Sequence, residues 1–114
     1  MDSYIDIHSH ILPGLDDGSE NFEMSLRMLR QAAEDHIEEI ILTPHYKPMR
    51  RNLPPEKVRQ AFRELEARAE EAGIPIRLHL GSEIYYSSEA LAALRDGNAL
   101  TIAGTSYVLV EFSP

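Results

Sequence analysis

The sequence contains no cysteine, which excludes both disulfide bonds and thiolate metal ligands. Any bound metal ion must therefore be held by histidine, aspartate or glutamate side chains. No apolar run approaches the roughly 18 residues that a membrane-spanning helix requires. The first residues also lack the basic and apolar regions of a signal peptide. These absences favour a cytoplasmic protein that does not insert into a membrane.

Basic residues are outnumbered: eleven Lys and Arg stand against nineteen Asp and Glu, which gives a net charge of -8. This balance argues against a nucleic-acid partner, because a nucleic-acid surface normally needs a basic patch. An anionic substrate remains compatible, since divalent cations held by acidic residues dominate the local field. The 114 residues, 43% of them hydrophobic, have the length and composition of a globular domain.

Short apolar runs alternate with amphipathic segments along the chain. The apolar runs predict main strands at residues 4–8, 39–43, 76–80 and 107–112, and a brief strand at 100–103. The 3.6-residue periodicity predicts helices at residues 22–35, 54–72 and 87–96. This order predicts an α/β fold with parallel strands and helical crossovers. Because an α/β barrel takes about 250 residues, we expect residues 1–114 to form a single domain, truncated after its fourth main strand.

Two histidines, His8 and His10, lie two positions apart at the end of the first predicted strand. In an extended chain, residues i and i+2 point to the same side, so both imidazoles can reach one ion. A pair in this position favours metal binding over two unrelated structural histidines, and Asp6 can orient one of them. In the loop that follows, Asp17 is a further candidate ligand, although Asp-Asp-Gly is also common turn chemistry.

Three more candidate ligands follow or end later strands. His45 comes after the second strand, Glu83 comes after the third, and Glu111 lies inside the last. Taken singly, each has an explanation without a metal: His45 as a loop histidine, Glu83 as a glutamate at a helix start and Glu111 as a solvent-facing strand residue. Together they fall at the carboxyl ends of successive strands, where parallel α/β sheets bind ligands. Such nitrogen and oxygen ligands suit Mn²⁺, Fe²⁺, Zn²⁺ or Mg²⁺ without distinguishing them.

Substrate-binding candidates are fewer. Arg50 and Arg51 lie in the loop after His45, where they can attract a phosphorylated or acidic substrate or simply be solvated. Tyr85, which follows Glu83, can line a substrate cleft or pack against the third helix. His36 and His79 are interpreted as structural residues, the first near a helix end and the second as a strand histidine packed under a helix.

The motifs together resemble the polymerase and histidinol phosphatase (PHP) superfamily. They resemble more closely the bacterial manganese-dependent tyrosine-protein phosphatases encoded with capsular and exopolysaccharide genes. Residues 6–14 are one matching segment, and the pairing of residues 8–14 with Asp16-Asp17-Gly18 is the most specific part. The other matching segments are Thr43-Pro44-His45, residues 81–86 and Val110-Glu111-Phe112.

The resemblance implies a distorted PHP-type (β/α) barrel, of which this chain is the N-terminal half, holding two or three Mn²⁺ ions. It implies that His8 and His10 bind one ion, that Glu83 and Glu111 bridge or complete neighbouring positions, and that Asp17 and His45 bind a third. The implied reaction is hydrolysis of phosphotyrosine by a metal-activated water, with no side-chain nucleophile. The implied partner is a bacterial tyrosine kinase of polysaccharide export, whose dephosphorylation regulates capsular and exopolysaccharide synthesis.

Two alternatives stay open at this point. One is a PHP phosphoesterase that acts on a small molecule such as histidinol phosphate. The other is an inactive half-barrel. Members of the family that this sequence resembles supply further ligands and phosphate-binding arginines from their second half, and those residues are absent from this chain. The apolar last strand also predicts pairing with another chain, which would give a homo-oligomer.

Overall fold

The helices and main strands follow the hydrophobic pattern of the sequence. The computed structural model describes residues 2–15, 18–48 and 50–112. In those residues the strands are β1 Tyr4–Asp6, β2 Ile37–Leu42, β3 His45–Tyr46, β4 Arg77–Leu80, β5 Glu83–Tyr85 and β6 Leu109–Glu111. The helices are α1 Phe22–Glu34, α2 Pro55–Glu71 and α3 Ala90–Arg95, and a short 3₁₀ helix spans Ile102–Gly104.

Local signals define the ends of the two long helices. The side chain of Asn21 accepts a hydrogen bond from the backbone N–H of Met24 at 2.8 Å and so caps α1. At the other end of α1, His36 adopts a left-handed backbone with φ of 70°, a position that glycine usually fills. Helix α2 begins with Pro55, whose missing N–H costs nothing in a first turn. Gly73, with φ of 72°, follows its end.

Every strand pair in the described residues is parallel. The strands form two three-stranded sheets, in the orders β1-β2-β4 and β3-β5-β6. Backbone bonds continue the pairing from one sheet into the other, since Gly81 N–H donates to the Leu42 carbonyl and Glu83 N–H donates to the Pro44 carbonyl, both at 2.9 Å. The predicted α/β fold with parallel strands is therefore confirmed, and closure of these strands into half of a barrel remains a prediction.

The segment 100–103 does not form the predicted brief strand. Residues Ile102–Gly104 instead make a 3₁₀ helix, with Ala103 in a left-handed conformation. The Ile102 N–H donates to the Tyr107 carbonyl at 2.9 Å, so this segment folds back on itself rather than pairing with a sheet. Gly81 permits its close approach, because a Cβ there would lie 3.3 Å from the Ile102 Cα. The prediction of a strand here was wrong, because an apolar run of this length carries too few residues to distinguish a turn from a strand.

The main hydrophobic core lies between the two long helices and the first sheet. Its fully buried side chains are Leu12, Leu29, Ile40, Leu42 and Leu65. A smaller cluster of Ile84, Ala93 and Ala99 packs α3 against the second sheet. The segment after β1 is thus anchored by Leu12, which keeps the preceding histidines close to the sheet. Within the described residues, no helix is both long and apolar enough to cross a membrane.

Candidate metal centre

Neighbouring strand ends bring five predicted ligands to one edge of the sheets. His8 and His10 follow β1, His45 begins β3 and Glu83 begins β5. His45 and Glu83 are direct partners in the parallel register. Glu111 ends β6, beside Tyr85 of β5. The sequence analysis predicted neither β3 nor β5. His45 and Glu83 are strand residues, not a loop residue and a helix-start residue.

A single carboxylate oxygen, Oε1 of Glu83, lies at the centre of the cluster. It is 3.1 Å from His8 Nε2, 3.0 Å from His10 Nε2 and 3.3 Å from His45 Nδ1. Oε1 of Glu111 lies 3.4 Å from the same His45 nitrogen. The Glu83 side chain is almost entirely buried, whereas that of His8 is 46% exposed, so the cluster opens to solvent on the His8 side.

The five side chains form two groups that could each hold a metal ion. One group contains His8, His10 and Glu83, and the other contains His45, Glu83 and Glu111, with the ligand atoms of each group within 4.8 Å of one another. Glu83 belongs to both. A carboxylate shared in this way can bridge two neighbouring cations. The His10 and His45 rings stack with centroids 4.4 Å apart, which brings the two groups together.

The charge balance of the cluster fits divalent cations. In the part of the chain that the structure describes, Glu83 Oε1 and Glu111 Oε1 are buried, and the imidazole nitrogens beside them are not oriented to donate a hydrogen bond to either oxygen. A buried carboxylate oxygen without a donor is unfavourable unless a cation compensates it. The available donors are imidazole nitrogens and carboxylate oxygens, which suit Mn²⁺, Fe²⁺ or Zn²⁺.

The residue between the two histidines, Ser9, is fixed to the end of β2. Its N–H donates to Thr43 Oγ1 at 3.1 Å, and its hydroxyl donates to the Ile41 carbonyl at 2.9 Å. The Thr43 N–H and hydroxyl both donate to the Ser9 carbonyl, at 2.8 and 3.1 Å. Sequence reasoning missed this role, although a serine and a threonine beside the His-x-His and Pro-His motifs were visible signals.

The loop after His10 is also held against it. Ser19 N–H donates to the His10 carbonyl at 3.0 Å. A Cβ on Gly18 would lie 2.0 Å from that carbonyl oxygen, so only glycine fits there. Further along, the buried Ser25 hydroxyl donates to the Ile11 carbonyl and lies 2.6 Å from Ser19 Oγ. These contacts position the backbone that carries His10.

The remaining predicted site residues are placed differently. Asp17 lies outside the described residues. Asp6 accepts a hydrogen bond from the backbone N–H of His8 at 3.1 Å, so it contacts the main chain of the pair. Arg50 is exposed, Arg51 lines a cavity together with His45, and Tyr85 is half-buried beside Glu111. His79 Nε2 donates to Glu39 Oε1 at 2.9 Å, away from the cluster.

Comparison with known proteins finds relatives that are all named tyrosine-protein phosphatases. Tyrosine-protein phosphatase YwqE of Bacillus subtilis is 37% identical over 108 residues, which cover 95% of this chain and 42% of YwqE. Tyrosine-protein phosphatase CpsB of Streptococcus pneumoniae is 33% identical over 96% of this chain and 45% of CpsB. The putative tyrosine-protein phosphatase CapC of Staphylococcus aureus is 30% identical over 95% of this chain.

A solved structure agrees with these relatives. It comes from crystal structures of YwqE from Bacillus subtilis and CpsB from Streptococcus pneumoniae, described as unique metal-dependent tyrosine phosphatases. It superposes on 96% of this chain with a TM-score of 0.90 and 36% identity, and the match covers 44% of that protein. The chain therefore spans less than half the length of the relatives it matches. Since the family model for capsular polysaccharide synthesis, CpsB/CapC, also matches residues 4–114, this chain belongs to the CpsB/CapC family.

Proposed function

We propose that this chain carries the N-terminal part of the active site of a metal-dependent protein-tyrosine phosphatase. The observation that carries the proposal is the sharing of Glu83 between two groups of metal-ligand side chains. The relatives named tyrosine-protein phosphatases and the metal-dependent structural neighbour support it. The half-barrel arrangement, a single domain over residues 1–114 and a cytoplasmic location belong to the same proposal.

In this proposal His8, His10 and Glu83 hold one ion, and His45, Glu83 and Glu111 hold a second. Mn²⁺ is the proposed metal, in keeping with a donor set of nitrogen and oxygen without sulfur. Asp17 is the proposed additional ligand for a third ion. When bound, such ions lower the pKa of a bound water and neutralise the oxygens of a phosphoryl group.

The chain's own residues supply positioning. Glu83 is fixed in the β5 ladder, and the Ser9–Thr43 bonds hold both histidines of the first group at the end of β2. Because these side chains are already in position, little free energy is lost to reorganisation when charge develops on the substrate. Arg50, Arg51 and Tyr85 are the proposed substrate contacts. The proposed substrate is phosphotyrosine on a bacterial tyrosine kinase of polysaccharide export.

The test measures metal binding first, because the chain spans less than half of its relatives. Metal-free protein is titrated with Mn²⁺ by calorimetry, and Glu83→Gln is compared with Glu38→Gln, a matched change at an exposed position of β2. We expect Glu83→Gln to weaken both sites at least tenfold and Glu38→Gln to leave them unchanged. Equal affinities in the two variants would contradict the shared-ligand arrangement.

Hydrolysis is then measured on the Mn²⁺-loaded protein with a phosphotyrosine peptide and with histidinol phosphate. We expect the protein to hydrolyse the phosphotyrosine peptide or to bind it in a way that depends on its phosphate. Turnover of histidinol phosphate alone would replace the tyrosine-phosphatase proposal with the small-molecule alternative.

A further inference from the structure

The loop between β3 and α2 is organised by one side chain, Asn52. Its Oδ1 accepts from the Lys47 N–H at 3.0 Å, and its Nδ2 donates to the carbonyls of Lys47 and Arg50 at 2.8 and 2.9 Å. The amide thus pairs with both backbone groups of Lys47, much as a neighbouring strand would. The Arg50 N–H also donates to the Lys47 carbonyl at 2.8 Å. A basic loop is thereby held in one conformation beside the metal centre.

Below this loop lies a cavity of about 90 Å³ that is partly open to solvent. Its polar lining includes His45, Arg51, Asn52 and Asn98. Its apolar lining includes Leu15, Pro44, Leu53, Val58 and Leu100. Since His45 belongs to the cluster as well, the cavity borders the candidate metal centre directly. Apolar walls with a few oriented polar groups are typical of ligand sites.

The charge of Arg51 is available to a ligand. In the described part of the chain, Arg68, Arg77 and Arg95 form ion pairs with Glu64, Glu39 and Asp96. Arg51, like the remaining arginines of the described residues, pairs with no carboxylate there, and it is the arginine that lines this cavity. A guanidinium binds carboxylates and phosphates in a two-pronged geometry, so an external anion is its natural partner.

We propose that this cavity is a subsite for the residue next to the phosphotyrosine of a peptide substrate, and that it selects an acidic side chain through Arg51. The proposal rests on the proposed phosphatase function. The Cα of the adjacent peptide residue lies about 3.8 Å from that of the phosphotyrosine. With the phosphoryl group at the His45 edge of the metal centre, the adjacent side chain can run alongside the phosphotyrosine side chain towards the cavity, which shares His45 with that centre. Asn52 is the positioning residue, because it fixes the loop that presents Arg51.

The test measures binding as well as turnover. Fluorescent peptides with a phosphotyrosine flanked by glutamates, or by glutamines, are titrated into the Mn²⁺-loaded chain and followed by anisotropy. We expect the glutamate peptide to bind about threefold to tenfold more tightly. Arg51→Gln should abolish that preference, while Lys57→Gln, which removes an exposed cation of α2 outside the cavity, should keep it.

The role of Asn52 is tested by the same comparison, the affinity for the glutamate peptide against that for the glutamine peptide. Asn52→Ala removes all three amide bonds and should lower the preference for the glutamate peptide, with the affinity for the glutamine peptide unchanged. A purely structural role would instead weaken both peptides equally, and thermal unfolding shows whether each variant is folded.

The outcomes separate this proposal from the one on which it rests. Phosphate-dependent binding with no glutamate preference, or with a preference that survives Arg51→Gln, overturns the subsite and leaves the phosphatase proposal intact. If no phosphotyrosine peptide binds although Mn²⁺ does, the proposed function fails and the subsite fails with it.

Discussion

Ser9 and Thr43 are joined by three hydrogen bonds across 34 positions of sequence. The Ser9 N–H donates to the Thr43 hydroxyl, and the Thr43 N–H and hydroxyl donate back to the Ser9 carbonyl. Thr43 is fully buried, so its hydroxyl has no access to water. The two residues precede His10 and Pro44-His45, respectively, and therefore couple the two groups of candidate ligands through the backbone.

Thr43→Val should destabilise the protein and weaken metal binding together. The substitution keeps the shape of the side chain but leaves the half-buried Ser9 N–H without its acceptor, which costs about 1–3 kcal/mol. Urea unfolding gives the stability change, and Mn²⁺ titration gives the affinity, which we expect to fall several-fold. Thr101→Val is the matched control at a half-buried position, and a metal affinity that falls equally in both variants would argue against the coupling.

Gly18→Ala should impair the position of His10. The new Cβ would lie 2.0 Å from the His10 carbonyl oxygen and 2.5 Å from its Cβ, so the backbone of one segment must move. We expect a loss of at least about 2 kcal/mol in unfolding free energy and weaker Mn²⁺ binding. Gly104→Ala is the control, since it introduces left-handed strain of about 1 kcal/mol at a position with no neighbouring atom within 4 Å. Mn²⁺ affinities that match in the two variants would refute the steric explanation.

His36→Gly should stabilise the protein by about 0.5–1 kcal/mol. His36 has φ of 70° immediately after the end of α1, and a non-glycine residue is strained there. The melting temperature of metal-free protein should rise by a few degrees. In the interior of the same helix, Arg30→Gly should lower stability by about 1 kcal/mol, which distinguishes relief of strain from a general effect of glycine. A lower melting temperature for His36→Gly would disprove the prediction.

The Glu39 carboxylate should stabilise the protein at neutral pH and lose this effect in acid. The hydrogen bond from His79 is the main cause that holds the pKa of Glu39 below its ordinary value; desolvation opposes it, and the charge of Arg77 adds to the lowering. A lowered pKa in the folded state means that the contribution is present above the unfolded pKa and disappears as pH falls through the folded pKa. It is fully present at neutral pH.

The measurement is urea unfolding of wild type and Glu39→Gln between about pH 7 and about pH 3. We expect wild type to be the more stable at pH 7 and the difference to vanish at the acid end. Glu38→Gln, at the exposed neighbouring position, should show little difference at either pH. A stability difference for Glu39→Gln that grows in acid would reverse the inferred sign.

Much of the fold follows from local sequence signals. The periodicity of Phe22–Glu34 and Pro55–Glu71, with Asn21, Pro55 and Gly73 at their ends, was sufficient to predict both long helices. The apolar runs predicted the main strands because buried parallel strands need nearly continuous hydrophobic sequence. Their predicted ends were too long by one or more residues, for example at β1 and β6. The His8-Ser9-His10 spacing likewise indicated a metal-binding pair without reference to any distant residue.

The arrangement of the site depended on tertiary structure. His45 and Glu83 are adjacent because two-residue and three-residue strands pair in register, and strands that short carry no periodicity of their own. The same holds for the convergence of three imidazoles on Glu83 Oε1 and for the position of Arg51 in a cavity with His45. The sequence by itself determined which residues can bind a metal. Only the folded chain decided which of them meet, because these contacts join residues tens of positions apart and depend on strand register.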